Sequence, residues 1–196
     1  MGLDVSAKRI IVAITGATGA ILGIRTLETL RDMGIETHLI LSRWAKATIT
    51  LETALQPEDV EKLASFNHPA DNQAAALSSG SVKTCGMIVI PCSMKTLSAI
   101  RNGYGDGLIA RAADVTIKER RPLVLVPREM PLSEIHLDNM LALARMGVSI
   151  VPPMPAFYNN PQTIDDIVDH IVTRVLDQLG LQSPHAKRWT AGCSFL

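Results

Sequence analysis

Five short apolar runs, rich in β-branched residues, alternate with helical patterns along most of this chain. The runs are Arg9–Ile14, Thr37–Leu41, Gly86–Ile90, Leu123–Val126 and Val148–Val151. Continuous apolar runs of this length are typical of strands covered on both faces, as in parallel sheets. Strands that alternate with helices predict an α/β fold with a doubly wound parallel sheet, of the Rossmann or flavodoxin-like kind.

The last helical pattern is the clearest one in the chain. Its apolar residues follow the i, i+3, i+4, i+7 spacing of a packed face, with Thr163 placed to cap its start and Gly180 to end it. An earlier stretch, residues 66–81, is polar and rich in small residues, which predicts mostly loop. Because no repeat or linker divides the chain, we expect a single domain over residues 1–196, with 1–8 and 190–196 as peripheral tails.

Charge and cysteine usage narrow the class of protein. Nineteen basic residues balance nineteen acidic ones, so nothing favours nucleic acid or an anionic membrane as a partner. The N-terminus lacks the apolar segment of a signal peptide, and the apolar runs are too short to span a bilayer. Three cysteines without metal-like pairing predict a reduced, cytoplasmic protein whose thiols are packing groups rather than disulfide bridges. The 47% hydrophobic content fits a large core, an oligomer surface, or both.

Small, hydroxylic and basic residues follow the predicted strands, where ligands bind in open α/β sheets. The first strand leads into TGATGA (15–20), whose glycines allow a ligand close to the backbone and whose following helix offers amides to an anion; a tight turn alone would also explain it. Ser42 and Arg43 follow the second strand, where an NAD site would place an acid. Ser93 and Thr96 follow the third and suit a phosphate, although Ser93 is equally explained as a helix cap.

The ends of the fourth and fifth strands carry charged and aromatic residues. Arg128 and Glu129 stand between two prolines and are either a plain ion pair or functional groups, with arginine on phosphate or flavin oxygens and a partly buried glutamate moving protons. The fifth strand leads into a proline-rich loop that ends at Phe157 and Tyr158. Arg174 lies at the border of the last helix's apolar stripe and faces either water or an anion.

The ordered segments of this chain resemble those of the UbiX-like flavin prenyltransferases. They are TGATGA (15–20), SSGS (78–81), IPCSMKTLSAI (90–100), RAADVTIKERRPLVLVPRE (111–129), PPMPAFY (152–158) and RVLDQLGL (174–181). The resemblance covers the chain from about Arg9 to Trp189. It is closest to members tied to the decarboxylation of hydroxyaryl acids, where they form one component of the decarboxylase system, or of ubiquinone precursors.

The resemblance implies two binding sites and a set of reactive residues. The family's FMN site matches Gly16, Ala17, Thr18, Ser42, Ser93, Met94, Lys95, Thr96 and Arg128. Its prenyl-phosphate site matches Lys118, Tyr158 and Arg174, with Trp189 in a tail that covers the site. Its reacting region matches Glu129, Lys118, Thr18 and Glu52. One departure is Thr18, where relatives often carry serine.

The implied activity joins a dimethylallyl group from dimethylallyl phosphate to N5 and C6 of reduced FMN, without a metal. The product would serve a UbiD-like decarboxylase of aromatic acids. Family members are dodecamers whose ligand site lies where subunits meet. Two alternatives remain: an FMN-dependent oxidative decarboxylase of a cysteine-containing substrate, whose PxMNxxM loop would need asparagine where Pro155 stands, and a non-catalytic FMN carrier subunit.

Overall fold

The computed structural model describes residues 8–183, where six parallel strands form one sheet. The strands are β1 Arg9–Ile14, β2 Glu36–Leu41, β3 Phe66–Pro69, β4 Gly86–Cys92, β5 Leu123–Pro127 and β6 Ser149–Ile150, in the spatial order β3-β2-β1-β4-β5-β6. The helices are α1 Ala20–Asp32, α2 Arg43–Glu52, α3 Pro57–Glu61, α4 Met94–Arg101, α5 Leu108–Lys118, α6 Glu134–Arg145 and α7 Ile164–Asp177. The predicted doubly wound α/β fold is confirmed.

Alternation along the strands divides the core into two halves. Ile10, Val12 and Ile14 of β1 pack with α1, α2 and α7 on one face of the sheet. Ile11 and Ala13 face the other way, where they pack with α4, α5 and α6. Because successive strand side chains point to opposite faces, a strand covered on both must be apolar throughout. The crossover helices run back along the sheet, so each one ends near the edge where the next strand begins.

The edge strand β3 was missed by the sequence prediction, which assigned loop to its residues. The stretch FNHP is short and largely exposed, ends in proline, and pairs with β2. An edge strand buries little apolar surface, so it shows no continuous apolar run. The sixth strand also differs from prediction, since it spans only Ser149–Ile150. The capped start of α7 at Thr163 is confirmed by a capping box with Asp166.

A pair of histidines attaches this edge strand to the sheet. Nδ1 of His38 on β2 lies 2.8 Å from Nε2 of His68 on β3, and the ring of Phe66 stacks on His38 with centroids 4.9 Å apart. Nε2 of His38 is 3.0 Å from Glu36, which also binds Arg9. One proton shared between these two ring nitrogens makes the hydrogen bond. If both nitrogens carried a proton, they would repel each other.

This pair should make stability depend on pH. Burial, and then the charge of His38, lower the pKa of His68, so the unfolded chain binds more protons than the folded one as pH falls below about 6.5. Stability is therefore retained above that pH and lost below it. We expect the stability advantage of the wild type over His68→Asn, measured by urea unfolding, to shrink between pH 8 and pH 5.5. A constant difference would contradict the assignment.

The two cysteines within the described residues lie in different environments. Cys92 is buried, and burial raises the pKa of its thiol far above the ordinary range, so it is a packing group as predicted. Cys85 is a free thiol but is exposed, so the prediction that it is a packing group is wrong. Cys193 lies outside the described residues.

Neither a membrane span nor a metal cluster is found in the part of the chain that the structure describes. No helix within residues 8–183 is long and apolar enough to cross a membrane. The same residues contain no cluster of three metal-binding side chains.

Candidate active site

The order of the strands reverses between β1 and β4, and we call the region between the loops at their carboxyl ends the crevice. The chain leaves β1 for α1 on one face and leaves β4 for α4 on the other, which is the ligand-binding point of doubly wound sheets. The loops at this edge carry the residues predicted to bind FMN: Gly16, Ala17, Thr18, Ser42, Ser93, Met94, Lys95, Thr96 and Arg128.

The loop after β1 packs directly against the start of α2. A Cβ placed on Gly16 would overlap Cβ of Trp44 and lie 3.2 Å from its Cα. Only a residue without a side chain allows this approach. The loop ends at Gly19, whose φ of 98° begins α1 in a conformation that other residues rarely adopt. Gly16 therefore fixes the first loop relative to Ser42, the residue that caps α2.

The start of α1 is occupied by a carboxylate of the chain itself. Oε2 of Glu52 accepts hydrogen bonds from the amides of Gly19 and Ala20, at 2.8 and 3.0 Å. The prediction that these amides bind a ligand anion is wrong, because Glu52 already satisfies them. Glu52 thus lies beside Thr18 at the crevice, where the resemblance places a reacting-region acid.

The protonation of Glu52 follows from these contacts. Burial raises the pKa of its carboxyl, but the hydrogen bonds from Thr18, Ala20 and Gly19 outweigh burial, and the positive charge of Arg128 adds to them. The net pKa is lower than usual, so Glu52 is ionised at neutral pH. Thr18 lies in the loop before α1, Glu52 ends α2 and Arg128 follows β5, so the structure brings these three residues together.

The start of α4 offers a better place for a phosphate. Ser93 caps this helix, and its Oγ accepts the amide of Thr96 at 3.4 Å and donates to Thr96 Oγ1 at 3.1 Å. The first-turn amides of Met94 and Lys95 are ones that a helix cannot satisfy internally.

A cavity of about 320 Å³ adjoins this helix start. Its lining includes Ser42, Arg43, Lys95 and Thr96, and also Asp71 and Asp106 from other loops. Hydroxyls, helix amides and two cations match the requirements of a phosphate ester. The residues present therefore fit FMN, with its phosphate at the start of α4.

The pair after β5 does not form the plain ion pair that was one of its two interpretations. Arg128 and Glu129 are both exposed in one chain, and no ion pair joins them within residues 8–183. The positive charge of Arg128 instead helps to lower the pKa of Glu52, as described above. Oε1 of Glu129 accepts the amide of Met130 at 3.1 Å. Glu129 is thus exposed just after β5 rather than partly buried as expected.

Lys118 lies away from this crevice, at the opposite edge of the sheet. It is the last residue of α5, next to the loop that precedes β4, and Nζ binds Glu119 at 2.6 Å. A Cβ on Gly80 would come within 3.0 Å of that Nζ. The SSGS segment therefore lies against the end of α5.

Two arginines that the sequence prediction missed hold this segment in place. Arg111 Nε donates to the Ser78 carbonyl at 3.2 Å, and Arg121 donates to the carbonyls of Gly80 and Val82 at 2.8 and 2.6 Å. Arg111 stands seven residues before Lys118, a spacing that puts both on one helix face and could have identified it. The Oγ of Ser78 is buried without a partner there.

Arg174 and Tyr158 form a third group, on the other face of the sheet. The Tyr158 hydroxyl lies 3.2 Å from Nε2 of His170, which is one turn before Arg174 on α7. Leu179, just beyond α7, reaches the first residue of β4, so this end of α7 lies at the edge where strands begin. One chain therefore does not bring Lys118, Arg174 and the crevice together. Trp189 lies outside the described residues.

The loop that carries Tyr158 is stiff and presents apolar side chains to the outside. Residues 152–155 include three prolines, and Met154 and Phe157 are 70% and 71% exposed. Pro155 stands where the alternative cysteine-decarboxylase motif needs asparagine. Large exposed apolar side chains that lie close together are typical of a surface that contacts another protein.

Comparison with known proteins agrees with this geometry. The Flavoprotein family model matches residues 3–176. A probable UbiX-like flavin prenyltransferase from Escherichia coli is 66% identical over 182 residues, 92% of each chain. A dodecameric FMN-dependent UbiX-like decarboxylase from Escherichia coli O157:H7 has a TM-score of 0.92 at 65% identity, over 93% of this chain and 99% of that one. AnUbiX (PadA1), solved with FMN and dimethylallyl pyrophosphate, has a TM-score of 0.93 at 54% identity, over 94% and 98%. The chain belongs to the flavoprotein family and, within it, to the UbiX-like flavin prenyltransferases.

Proposed function

We propose that this chain joins a dimethylallyl group from dimethylallyl phosphate to N5 and C6 of reduced FMN. The observation that carries the proposal is a surplus of anion-binding groups. The crevice groups suffice for the one phosphate of FMN. Lys118 and Arg174 lie elsewhere, each beside a carboxylate of its own helix end, Glu119 and Asp177, and both are exposed enough to turn to a second phosphate. The name of the Escherichia coli relative and the ligands of AnUbiX (PadA1) support this choice of donor.

The crevice residues bind and orient the flavin. Ser42, Ser93, Thr96 and Arg128 hold the phosphate together with the first-turn amides of Met94 and Lys95, while Gly16, Ala17 and Thr18 line the path of the ring system. Bound reduced FMN supplies the electron-rich ring atoms that receive the allyl group. The ionised Glu52 fixes the Thr18 hydroxyl and the start of α1 beside those atoms. Glu129, exposed just after β5, accepts at its carboxylate the proton that ring closure releases.

Lys118, Tyr158 and Arg174 act on the donor's phosphate. Cations and a hydroxyl aimed at the phosphate oxygens stabilise the negative charge that develops there as the carbon–oxygen bond breaks. Because these groups lie on two faces of the sheet, different copies of the chain supply them to one crevice. The active form is thus a homo-oligomer, which we propose is a dodecamer as in the Escherichia coli O157:H7 relative.

Replacement of Arg174 tests the donor site. Arg174→Ala should bind FMN normally but lose prenyl transfer by about 10²–10³-fold, since a charge-stabilising donor is worth that much. The assay incubates protein anaerobically with reduced FMN and either dimethylallyl phosphate or its diphosphate, and measures the flavin mass. Arg145→Ala, which removes an exposed arginine from the last turn of α6, is the matched control and should remain active. Loss of FMN binding in Arg174→Ala would contradict the assignment.

The same assay separates the alternatives. A non-catalytic FMN carrier would return FMN of unchanged mass, as would an oxidative decarboxylase of a cysteine-containing substrate. We propose that the prenylated product serves a UbiD-like decarboxylase of aromatic acids. A protein-free filtrate of the reaction should then activate such an apo-decarboxylase, and a filtrate made without the prenyl donor should not.

A further inference from the structure

Thr15 is the last residue that ties β1 to β4 before the two segments leave the sheet. The pairing of the strands runs from Ile10 opposite Gly86 to Ala13 opposite Val89. Beyond it, the amide and the hydroxyl of Thr15 both donate to the carbonyl of Pro91, at 3.2 and 2.8 Å. Thr15 is only 1% exposed, so these bonds are shielded from water.

The hydroxyl of Thr15 also compensates for the backbone N–H that Pro91 lacks. Pro91 has no N–H, so β4 cannot supply a hydrogen bond to β1 at this position. The next residues turn into α4, and the amide of Ser93 instead donates to Oγ1 of Thr15 at 2.8 Å. One hydroxyl therefore accepts from Ser93 and donates to Pro91, closing a clamp across the switch point.

Ser93 connects this clamp to the predicted phosphate site. Its side chain caps α4 and orders Thr96, so its backbone position sets where the first-turn amides point. On the other side, Thr15 is followed directly by Gly16, the residue packed against Trp44. The two loops that flank the crevice are thus joined through a single buried side chain.

We infer that Thr15 is a positioning residue for flavin binding, which sets the spacing of the first loop and the α4 start without contacting FMN. The inference rests on the proposed function, because that function places FMN in this crevice. Valine has nearly the shape of threonine but can neither accept from Ser93 nor donate to Pro91. Thr15→Val leaves the partly buried amide of Ser93 without its partner, and a shift of Ser93 toward water would relieve this by displacing the start of α4 at the crevice.

The experiment compares Thr15→Val with Thr15→Ser, which keeps the hydroxyl, and with Thr116→Val. Thr116 is equally buried, but its hydroxyl bonds to Ala112 within its own helix and lies 3.9 Å from the sulfur of Met87 near the start of β4, at the edge of the sheet opposite the crevice. The dissociation constant of FMN is measured by flavin fluorescence, stability by urea unfolding, and exchange of the Ser93 amide by hydrogen–deuterium exchange of the FMN-free protein. We expect Thr15→Val to raise the dissociation constant about tenfold or more, the effect of one buried hydrogen bond.

Thr15→Val should also speed exchange of the Ser93 amide, while Thr15→Ser stays within about threefold of wild type in both measurements. Thr116→Val should lose stability without losing FMN affinity. The inference is overturned if Thr15→Val binds FMN like the wild type, or if Thr15→Ser fails to restore binding. If the wild type itself does not bind FMN, the proposed function fails instead, and the Ser93 exchange still reports whether the clamp exists.

Discussion

A mixture of two inactive variants, Arg128→Ala and Lys118→Ala, should regain prenyl transfer that neither shows alone. Each variant by itself is expected to lose about 10²–10³-fold in rate, because each removes a cation aimed at a phosphate. The structure places Arg128 at the carboxyl ends of the strands and Lys118 at the opposite edge. An active site assembled from different copies can then combine an intact crevice from one variant with an intact Lys118 from the other.

The size of the recovery follows from random assembly. If each site takes its crevice from one copy and its Lys118 from another, about one quarter of the sites in an equal mixture are intact. The variants are co-expressed with different affinity tags, purified on both, and assayed for the prenylated flavin. A mixture of Lys118→Ala with Lys118→Gln is the control, since every site then lacks the amine. Activity equal to the mean of the separate variants would place the whole site within one chain.

Replacement of Gly16 by alanine should damage both stability and flavin binding. The new Cβ would overlap Cβ of Trp44 and lie close to the Trp44 backbone, so no side-chain rotation can relieve the clash. Overpacking of this kind costs about 1–3 kcal/mol in the free energy of unfolding. Moving the loop away from α2 also displaces Thr18 and Ser42 relative to each other, so we expect FMN to bind at least tenfold more weakly, which corresponds to about 1.4 kcal/mol.

Gly105→Ala is the matched control for this substitution. No atom lies within 4 Å of a Cβ at Gly105, and the residue has no left-handed φ, so its replacement should change neither property. Urea unfolding and flavin fluorescence give the two measurements for both variants. Wild-type behaviour of Gly16→Ala would mean that the first loop is not held against α2.

The layers of this fold were predicted well because a strand that is buried on both faces must consist of a continuous run of apolar residues. The run Arg9–Ile14 is a strand with the same bounds in the structure. The edge strand Phe66–Pro69 has no such run, because its stability comes from pairing with β2 and from the His38–His68 contact rather than from apolar burial. The pattern of apolar residues along a short segment shows whether that segment is buried. It does not show that two histidines from distant segments, such as His38 and His68, will pair.

The sequence indicated which loops carry the candidate site residues, but not which of those residues contact one another. The residues after β1, β2, β4 and β5 were identified because ligand sites in such folds follow the strands. Glu52 could not be placed on the amides of α1 from sequence, since 32 residues separate it from Ala20 and no short-range rule links them. Nor could helix periodicity show that Lys118 and Arg174 lie on different faces of the sheet. Those facts depend on the tertiary packing of whole helices.

The proline-rich loop before Tyr158 reduces the backbone entropy that this segment can lose when copies of the chain associate. A flexible loop that became ordered against a neighbouring copy would lose backbone freedom worth about 1–2 kcal/mol per residue. Pro152, Pro153 and Pro155 already restrict φ in the free chain, so much of that freedom is absent before the copies meet. The exposed Met154 and Phe157 can then contribute most of their burial energy to association. Where this loop contacts a neighbouring copy in the proposed oligomer, its rigidity lowers the protein concentration at which the copies associate.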